Sequence, residues 1–173
     1  DYNQLNESHR SSSNLAPIFI SVNLSARQLT KTGDAKQFEN ILRNAKLEAK
    51  CIKLEVTETA LIEEAEITQH VLSDLRDLGF HVSLDDFGTG YSSLSHLQKF
   101  PVDDIKIDQS FVFRMLEDPN SMQIVKGSID LARAMDLETI AEGVETKEDL
   151  KQLGYMNCTY AQGYHYSKPL PLA

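Results

Sequence analysis

The sequence lacks any long apolar segment and any excess of basic residues. It contains nothing close to the roughly 18 consecutive apolar residues of a membrane-spanning helix, and its polar start, DYNQLNESHR, is not a signal peptide. There are 17 Lys and Arg against 26 Asp and Glu, which gives a formal net charge of -9. We therefore expect no DNA or RNA partner, because phosphates need neutralisation by basic side chains. A small anionic ligand is still compatible, since bound metal ions can supply positive charge locally.

Cysteine is also scarce. Cys51 and Cys158 are the only two cysteines, and they lie far apart with no metal-type spacing. Two lone thiols fit a reducing compartment, so the sequence predicts a cytoplasmic domain. A membrane anchor elsewhere in a longer parent protein is compatible with this. The histidines also lack metal-site spacing, and we expect all of them at the surface or in packing contacts: His9, His70, His81, His96 and His165.

Strand-like and helix-like segments alternate along most of the chain. Residues 1–17 are predicted to form the end of a helix and a polar loop, and residues 18–173 part of one domain. Short β-rich runs are predicted at Ile18–Asn23, Ile52–Thr57, His81–Asp86, Asp104–Asp108, Glu138–Ala141 and Cys158–Ala161. Helical spacing of apolar residues is found at Ala35–Ala45, Glu63–Leu78 and Ser121–Met135. This alternation predicts βα units and a parallel sheet.

About six strands are compatible with an open α/β sheet or with a barrel whose first part is missing, since a complete (β/α)₈ barrel has eight strands. The strands alternate between an aliphatic and a polar face: Ile20 and Val22 oppose Ser21 and Asn23, and Ile52, Leu54 and Val56 oppose Lys53, Glu55 and Thr57. The aliphatic face suits a ring of helices. The polar face becomes more polar toward the carboxyl end of the strands, where barrel enzymes carry their catalytic groups. The predicted fold is therefore an α/β, TIM-like (β/α)₈ barrel with about six of its strands in this chain.

Many carboxylates are expected at the mouth of this barrel. The polar residues that reach it are Asn23, Glu55, Glu58, Asp85, Asp86, Lys106, Asp108, Glu142, Glu145 and Gln162. Like charges repel strongly in a partly dry site, and one lysine cannot neutralise them. Oxygen donors suit hard ions such as Mg²⁺ or Mn²⁺. The adjacent pair Asp85-Asp86 could serve two ions about 3.5–4 Å apart, an arrangement that hydrolyses phosphoesters.

Six motifs occur in the order and spacing of a known family. They are Ser21–Leu29 (SVNLSARQL), Glu55–Glu58 (EVTE), Asp85–Ser93 (DDFGTGYSS), Ile105–Asp108 (IKID), Ala141–Glu145 (AEGVE), and Gln162–Tyr164 with Ser167–Pro171 (QGY and SKPLP). Together they resemble the EAL domain family of cyclic di-GMP (c-di-GMP) phosphodiesterases over nearly the whole chain. Each motif alone is weak, but six in register are specific.

The resemblance implies a role for each matching residue. Asn23, Glu55 and Asp85 would bind a first Mg²⁺ or Mn²⁺ ion, and Asp85, Asp86 and Glu142 a second. The catalytic residues would be Lys106, Asp108 and Glu142: Lys106 would orient or deprotonate the attacking water, with Asp108 beside it. The product would be linear pGpG.

Other matching residues are expected to anchor a loop or support the substrate. Glu58 would anchor the loop Phe87–Ser93, which lies near the family's homodimer contact. Substrate-side or supporting roles would belong to Gly143, Glu145, Gln162 and Pro169.

Two departures from the family pattern stand out. The Glu-Ala-Leu tripeptide is absent, together with its glutamate ligand and a substrate-binding arginine. We expect these residues upstream of residue 1. A sensor or cyclase domain in that upstream region is compatible with the sequence. Thr159 stands where an aspartate is expected before Gln162, which puts a substrate-side contact in doubt. We further expect that this chain alone is poorly stable and inactive.

Simpler explanations exist for the same residues. Asp85-Asp86 fits a solvated turn, Lys106 and Asp108 fit a structural ion pair, and Asn23 fits a capping residue. The acidic residues Glu58, Glu142 and Glu145 fit helix first turns. At the level of function, two alternatives are a c-di-GMP receptor without catalysis and a partner-binding scaffold with a purely structural barrel.

Overall fold

The computed structural model describes residues 18–29, 34–62, 65–90 and 97–170, and in these ranges six strands form one sheet. All neighbouring strands are parallel. The strands are β1 (Ile20–Leu24), β2 (Ile52–Thr57), β3 (His81–Phe87), β4 (Asp104–Ile107), β5 (Glu138–Ala141) and β6 (Tyr160–Ala161). Their order in the sheet is their order in the chain. A doubly wound sheet reverses its order at a switch point, so the unbroken order is the one a barrel requires. The predicted α/β class and six-strand parallel sheet are confirmed.

Helices occupy most of the connections between these strands. They are α1 (Asp34–Ala45), α2 (Glu58–Ile62), α3 (Ala65–Asp77), α4 (Gln109–Val112), α5 (Pro119–Ala134) and α6 (Lys147–Tyr155). The start of α5 lies two residues before the predicted Ser121. Asp118 is its N-cap and accepts bonds from the backbone N–H groups of Asn120 and Ser121, and proline suits the first helical position.

The strand bounds agree closely with the sequence prediction for the central strands. β2 and β5 have the predicted limits, and β3 is one residue longer. β6 is shorter than predicted, because Cys158 donates its backbone N–H to Leu153 O at the end of α6 instead of pairing with β5. The short helices α2 and α4 were not predicted, since each is too brief to show an apolar period.

Gly79 closes the turn that follows α3. Its φ of +94° lies in the left-handed region that glycine adopts without steric cost. Phe80 N then bonds back to Leu75 O at 3.1 Å, which is the closing bond of a glycine-capped helix. This turn directs the chain straight into β3.

Two buried clusters form the core. The larger lies between β1–β4 and α1–α3, and includes Leu54, Leu72 and Leu84. The smaller lies around α4–α6 and includes Val125 and Ile129. Each fully buried aliphatic side chain of this kind contributes about 1.5–3 kcal/mol, so the aliphatic faces of the central strands fix the sheet against its helices.

The aliphatic face of β1 is an exception. Ile20 and Val22, which the sequence predicts to pack against helices, are 39% and 41% exposed. β1 pairs only with β2, so in the described structure it is an edge strand. The prediction of a covered aliphatic face is therefore wrong for β1.

Residues 1–17, predicted as a helix end and loop, lie outside the described residues. No helix in the described ranges combines the length and apolar character needed to cross a bilayer. The division into residues 1–17 and 18–173 stays a prediction.

Candidate active site

Lys106 lies at the centre of a group of carboxylates contributed by three other strands or strand ends. Its Nζ is 3.0 Å from Glu55 Oε2, 3.0 Å from Asp85 Oδ1 and 2.7 Å from Glu142 Oε1. The lysine side chain is 5% exposed. An ammonium group has three N–H donors, so these contacts match its capacity. The carboxyl ends of β2, β3 and β5 thus converge on β4.

A bulge in β3 brings two consecutive aspartates to the same place. Successive residues of a regular strand point to opposite faces, but the pairing of β3 with β4 shifts between Leu84 and Phe87. Within this bulge Asp86 adopts a φ of +54°, a conformation that costs free energy and is concentrated at functional sites. As a result, oxygens of Asp85, Asp86 and Glu142 lie within 4.8 Å of one another.

The turn after β5 fixes Glu142. The Glu142 N–H donates to Ile107 O at 3.1 Å, which keeps the turn on β4. Gly143 follows with a φ of +71°, and a Cβ there would lie 2.7 Å from Gln109 Cβ. Only glycine fits this close approach to α4, which explains the glycine after Glu142.

The charges at this site are strongly coupled. Burial acts to lower the pKa of Lys106, but its contacts with Glu142, Asp85 and Glu55 raise that pKa above the usual lysine value. Burial raises the pKa of Glu142; Lys106 opposes this effect, and Asp85 and Glu55 reinforce it. Lys106 is therefore a fixed positive charge at neutral pH, and Glu142 holds a proton more readily than an ordinary glutamate.

Asp86 has excess negative charge around it. Burial raises its pKa first, and the charges of Asp85 and Asp108 raise it further, while Lys106 acts in the opposite direction. One lysine is thus insufficient to neutralise this group of carboxylates, and further positive charge would stabilise it.

The donor set fits hard divalent ions. Asp85, Asp86 and Glu142 offer carboxylate oxygens at mutual distances that one ion can span. Glu55 is joined to the same group through Lys106. Asn23 is the register partner of Glu55 on β1, so it lies beside that carboxylate at the edge of the sheet. These five are the residues that the sequence predicts as metal ligands.

Glu58 begins α2 and holds the loop that follows β3. Its side chain is 3% exposed, and its Oε2 accepts the Gly90 N–H at 3.2 Å. A Cβ at Gly90 would lie 2.7 Å from Glu58 Cδ, so only glycine allows this contact. Of the predicted anchored loop Phe87–Ser93, residues 91–93 lie outside the described structure.

Asp108 is the N-cap of α4. Its Oδ1 accepts the Ser110 N–H at 2.9 Å and also the Ser110 hydroxyl. Capping holds the side chain in place, and its contribution to the site is the negative charge that acts on Asp86. Its predicted catalytic role beside Lys106 stays a prediction.

Glu145 and Gln162 line a pocket beside Glu142. The pocket has a volume of about 290 Å³ and is also lined by Gln109, Phe113, Gly143, Gly163 and Tyr164. The sequence analysis did not predict Gln109, Phe113 or Tyr164 here. Phe113 and Tyr164 are 49% and 56% exposed, which sets them apart from core aromatics. Pro169 lies further along, in the exposed segment near the end of the described residues.

Thr159, the departure from the family pattern, bonds within the sheet. Its hydroxyl accepts the Thr139 N–H at 3.1 Å, and its own N–H donates to the Thr139 hydroxyl at 2.9 Å. Thr139 lies in β5, and Thr159 lies just before β6. The substitution therefore affects strand pairing, and it lies three residues before Gln162.

A second charged cluster lies toward the amino ends of the strands, and the sequence analysis missed it. Asp104 is fully buried and accepts bonds from Lys53 Nζ at 2.6 Å, from His81 Nε2 at 2.7 Å and from the Ser83 hydroxyl. Burial would raise the pKa of Asp104, but these bonds from His81, Lys53 and Ser83 lower it. The polar face is thus not confined to the carboxyl ends, and His81 is not merely a surface or packing residue.

This second cluster differs chemically from the first. His81, Asp104 and Glu138 lie close enough to share an ion, but Asp104 is already satisfied by three protein donors, including the buried ammonium of Lys53. The signal in the sequence was present: Lys53 and Ser83 have the same strand parity as Glu55 and Asp85. We interpret this cluster as a structural network.

Comparisons with known proteins agree with this geometry. The EAL domain profile matches residues 2–169. The cyclic di-GMP phosphodiesterase NbdA of Pseudomonas aeruginosa is 40% identical over 154 residues, which cover 89% of this chain and 20% of that protein. The chain spans about a fifth of the length of the curated relatives it matches.

Solved structures show the same fold. PaMucR phosphodiesterase in complex with c-di-GMP has a TM-score of 0.87 at 34% identity, covering 97% of this chain and 67% of that one. BlrP1 of Klebsiella pneumoniae, solved with manganese and c-di-GMP, has a TM-score of 0.79 at 31% identity, covering 87% of this chain and 39% of that one. A calcium complex of BlrP1 gives the same values. From its sequence profile, its relatives and its fold, this chain belongs to the EAL domain family.

Proposed function

We propose that this chain is part of a divalent-ion-dependent phosphodiesterase that hydrolyses one phosphodiester bond of c-di-GMP to give linear pGpG. The observation that carries the proposal is the convergence of Asp85, Asp86 and Glu142 within 4.8 Å beside the buried Lys106. The names of its relatives supply the substrate: NbdA is a c-di-GMP phosphodiesterase, and PaMucR is one solved with c-di-GMP.

Asp85, Asp86 and Glu142, with Glu55 and Asn23, would hold Mg²⁺ or Mn²⁺. Bound ions of this kind supply positive charge to the phosphate and activate water. The manganese in a relative solved with c-di-GMP supports this choice.

Lys106 would position the reactants, and Glu142 would hold an ion. Without an ion, burial and the charges of Asp85 and Glu55 raise the pKa of Glu142. A bound ion requires the deprotonated carboxylate, so Glu142 would act as a ligand and not as the proton acceptor. Lys106 would orient water or phosphate by donating hydrogen bonds from its ammonium, which the surrounding carboxylates hold at the centre of the site. In the reaction, a water oxygen bonds to phosphorus, one P–O ester bond breaks, and the leaving 3′ oxygen takes up a proton.

The 290 Å³ pocket beside Glu142 is suited to the nucleoside attached to the reacting phosphate. Base stacking on an aromatic ring contributes about 1–3 kcal/mol, and the exposed rings of Phe113 and Tyr164 are available for it. Glu145 and Gln162 add polar groups that can bond to base edges. Their position in this pocket supports the prediction that Glu145 and Gln162 contact the substrate.

The test is a product assay with Mn²⁺. The purified full-length parent protein is incubated with c-di-GMP, and pGpG is quantified by anion-exchange chromatography with and without EDTA. We expect the wild type to form pGpG only when Mn²⁺ is present, and Asp85→Asn to form none. The control Asp74→Asn alters an exposed carboxyl on α3 and should keep the wild-type turnover. Binding of c-di-GMP and Mn²⁺ without any product would contradict the proposal and would favour a receptor.

We further propose a homodimer through the loop that begins at Phe87. Around Gly88, the side chains of Phe111 and Ile124 lie within 3.1 and 3.5 Å of a Cβ position, and Ile124 is 37% exposed. An apolar patch of this kind beside the site suits a second copy. Light scattering should show a dimer for the wild type and a monomer for Ile124→Glu, and a dimer in both would contradict this contact.

Cytoplasmic location and an upstream sensor or cyclase domain are also proposed. The free thiols of the buried Cys51 and half-buried Cys158 suit a reducing compartment. The much greater length of the relatives suits additional domains. Fractionation of cells that express the parent protein, and sequencing of its gene, would test both.

A further inference from the structure

Lys106 and a divalent ion require the same carboxylate oxygens. The ammonium lies 3.0 Å from Asp85 and 2.7 Å from Glu142, and both carboxylates belong to the group with Asp86 that is suited to an ion. The remaining short contact of Lys106 is with Glu55 at 3.0 Å. An ion that binds Asp85 and Glu142 would therefore take acceptors that Lys106 now uses.

Burial makes this competition strong. With 5% of its side chain exposed, Lys106 cannot exchange its carboxylates for bulk water without moving. A buried charge that loses its partners is costly, so an ammonium displaced from Asp85 and Glu142 needs another acceptor nearby. A phosphate oxygen or a water molecule that enters the site supplies one.

We propose that Lys106 is a competing counter-ion, which a divalent ion displaces from Asp85 and Glu142. The displaced ammonium is then the donor that binds the phosphate or its attacking water, so ion binding and positioning of the lysine are one event. This inference rests on the divalent-ion part of the proposed function and is independent of the choice of substrate.

The other buried lysine provides a contrast. Lys53 is 8% exposed and lies 2.6 Å from Asp104, but His81 and Ser83 share that carboxylate. Asp104 is thus satisfied by three protein donors, whereas the one ammonium of Lys106 faces the carboxylates of Glu55, Asp85 and Glu142. We therefore expect the competition at Lys106 and not at Lys53.

Isothermal titration of the full-length parent protein with Mn²⁺ alone, at one pH, tests this directly. We expect Lys106→Met to bind Mn²⁺ with a Kd at least about tenfold lower than the wild type, because one competing positive charge is removed from a poorly solvated site. Lys106→Arg keeps the charge and should remain near the wild-type Kd. Lys126→Met is the control for net charge, since Lys126 is exposed on α5 and pairs with Asp130.

Three outcomes would overturn the inference. They are an equal or weaker Mn²⁺ affinity in Lys106→Met, an equal gain in Lys126→Met, and no Mn²⁺ binding by any of these proteins. Absence of c-di-GMP hydrolysis by the wild-type protein, with the affinity gain of Lys106→Met intact, would contradict the proposed function and leave this inference standing.

A second measurement does not depend on the folding of any variant. In the wild-type protein, the side-chain ¹⁵Nζ resonance of Lys106 is followed by NMR during titration with Mg²⁺. Displacement predicts a saturable shift of this resonance while the resonance of Lys53 stays constant. Saturation of the Mg²⁺ site with no change at Lys106 would overturn the inference.

Discussion

Glu142 combines two properties that separate it from the other carboxylates of the site. It makes the shortest contact with Lys106, at 2.7 Å, and its pKa is raised by burial and by the charges of Asp85 and Glu55. A carboxyl group of this kind is protonated more easily than an ordinary glutamate, and only its ionised form binds a divalent ion.

Glu142→Gln should lower kcat at a fixed, limiting Mn²⁺ concentration by at least about 10–100-fold, since loss of even an outer-shell partner costs that much in metal affinity or activity. Because only the ionised carboxylate binds the ion, wild-type kcat at limiting Mn²⁺ should fall as the pH falls through the raised pKa of Glu142, and the variant should lose this limb of the profile. Steady-state kinetics across pH measure both effects. The control Glu117→Gln, at an exposed position after α4, should keep the wild-type profile. An unchanged kcat in Glu142→Gln would contradict the assignment.

The residues of the site could be predicted, but their geometry could not. Strand parity brings Glu55 and Lys106 to the polar face, and both lie there. Parity alone would separate Asp85 from Asp86, and only the bulge and the left-handed φ of Asp86 bring them together. A local rearrangement of one strand leaves no periodic signal in a sequence.

At the scale of elements, the turn between β5 and α6 depends on one glycine. Gly143→Ala places a Cβ 2.7 Å from Gln109 Cβ and 3.0 Å from the Phe113 ring, at a φ of +71°. We expect a loss of about 1–3 kcal/mol in the free energy of unfolding, together with lower activity, because Glu142 is the preceding residue. Denaturant titration measures the first effect and the product assay the second.

Gly127→Ala is the matched control. Gly127 lies inside α5, and a Cβ there meets nothing within 4 Å. Alanine in a helix interior is favoured over glycine by about 0.5–1 kcal/mol, so this variant should be more stable than the wild type. Equal destabilisation by both substitutions would contradict the steric explanation for Gly143.

The network around Asp104 ties β2, β3 and β4 together at the opposite end of the sheet. Asp104→Asn leaves the buried ammonium of Lys53 without its charged partner, which should lower the free energy of unfolding at neutral pH by about 3–5 kcal/mol. The pKa of Asp104 is lowered in the folded state. Its stabilising effect is therefore present above the ordinary value of 3.8 and is lost as the pH falls through the lowered pKa.

Denaturant titration at neutral pH and at a pH well below 3.8 tests this account. The difference between the wild type and Asp104→Asn should shrink at the lower pH. A constant difference would show that the charge of Asp104 is not the cause. Strand parity places Lys53 and Ser83 on the polar face, but parity alone does not predict a buried network, because a lysine on a polar strand face fits solvent exposure equally well.

At the scale of the whole molecule, the sheet has two edges in the described residues. Ile20 and Val22 on β1 are 39% and 41% exposed, and an unpaired strand with exposed apolar side chains promotes association. The number of strands and their parallel order could be predicted from the alternation of strand and helix segments alone. The exposure of the aliphatic face of β1 could not, because it depends on which residues pair with β1 or pack on it.

The 173-residue chain expressed alone should therefore have a low melting temperature, a tendency to aggregate, and essentially no turnover of c-di-GMP. Thermal melts with light scattering, run beside the product assay, measure this. Ile20→Lys with Val22→Lys should reduce aggregation without restoring turnover. Robust turnover by the isolated chain would contradict this prediction.

The central claim is that carboxylates from separate strands meet around a shared divalent ion, and anomalous X-ray scattering from Mn²⁺-soaked crystals tests it most directly. We predict a peak at about 2.1 Å from oxygens of Asp85, Asp86 and Glu142. No peak at this group, or a peak only at His81, Asp104 and Glu138, would contradict the account.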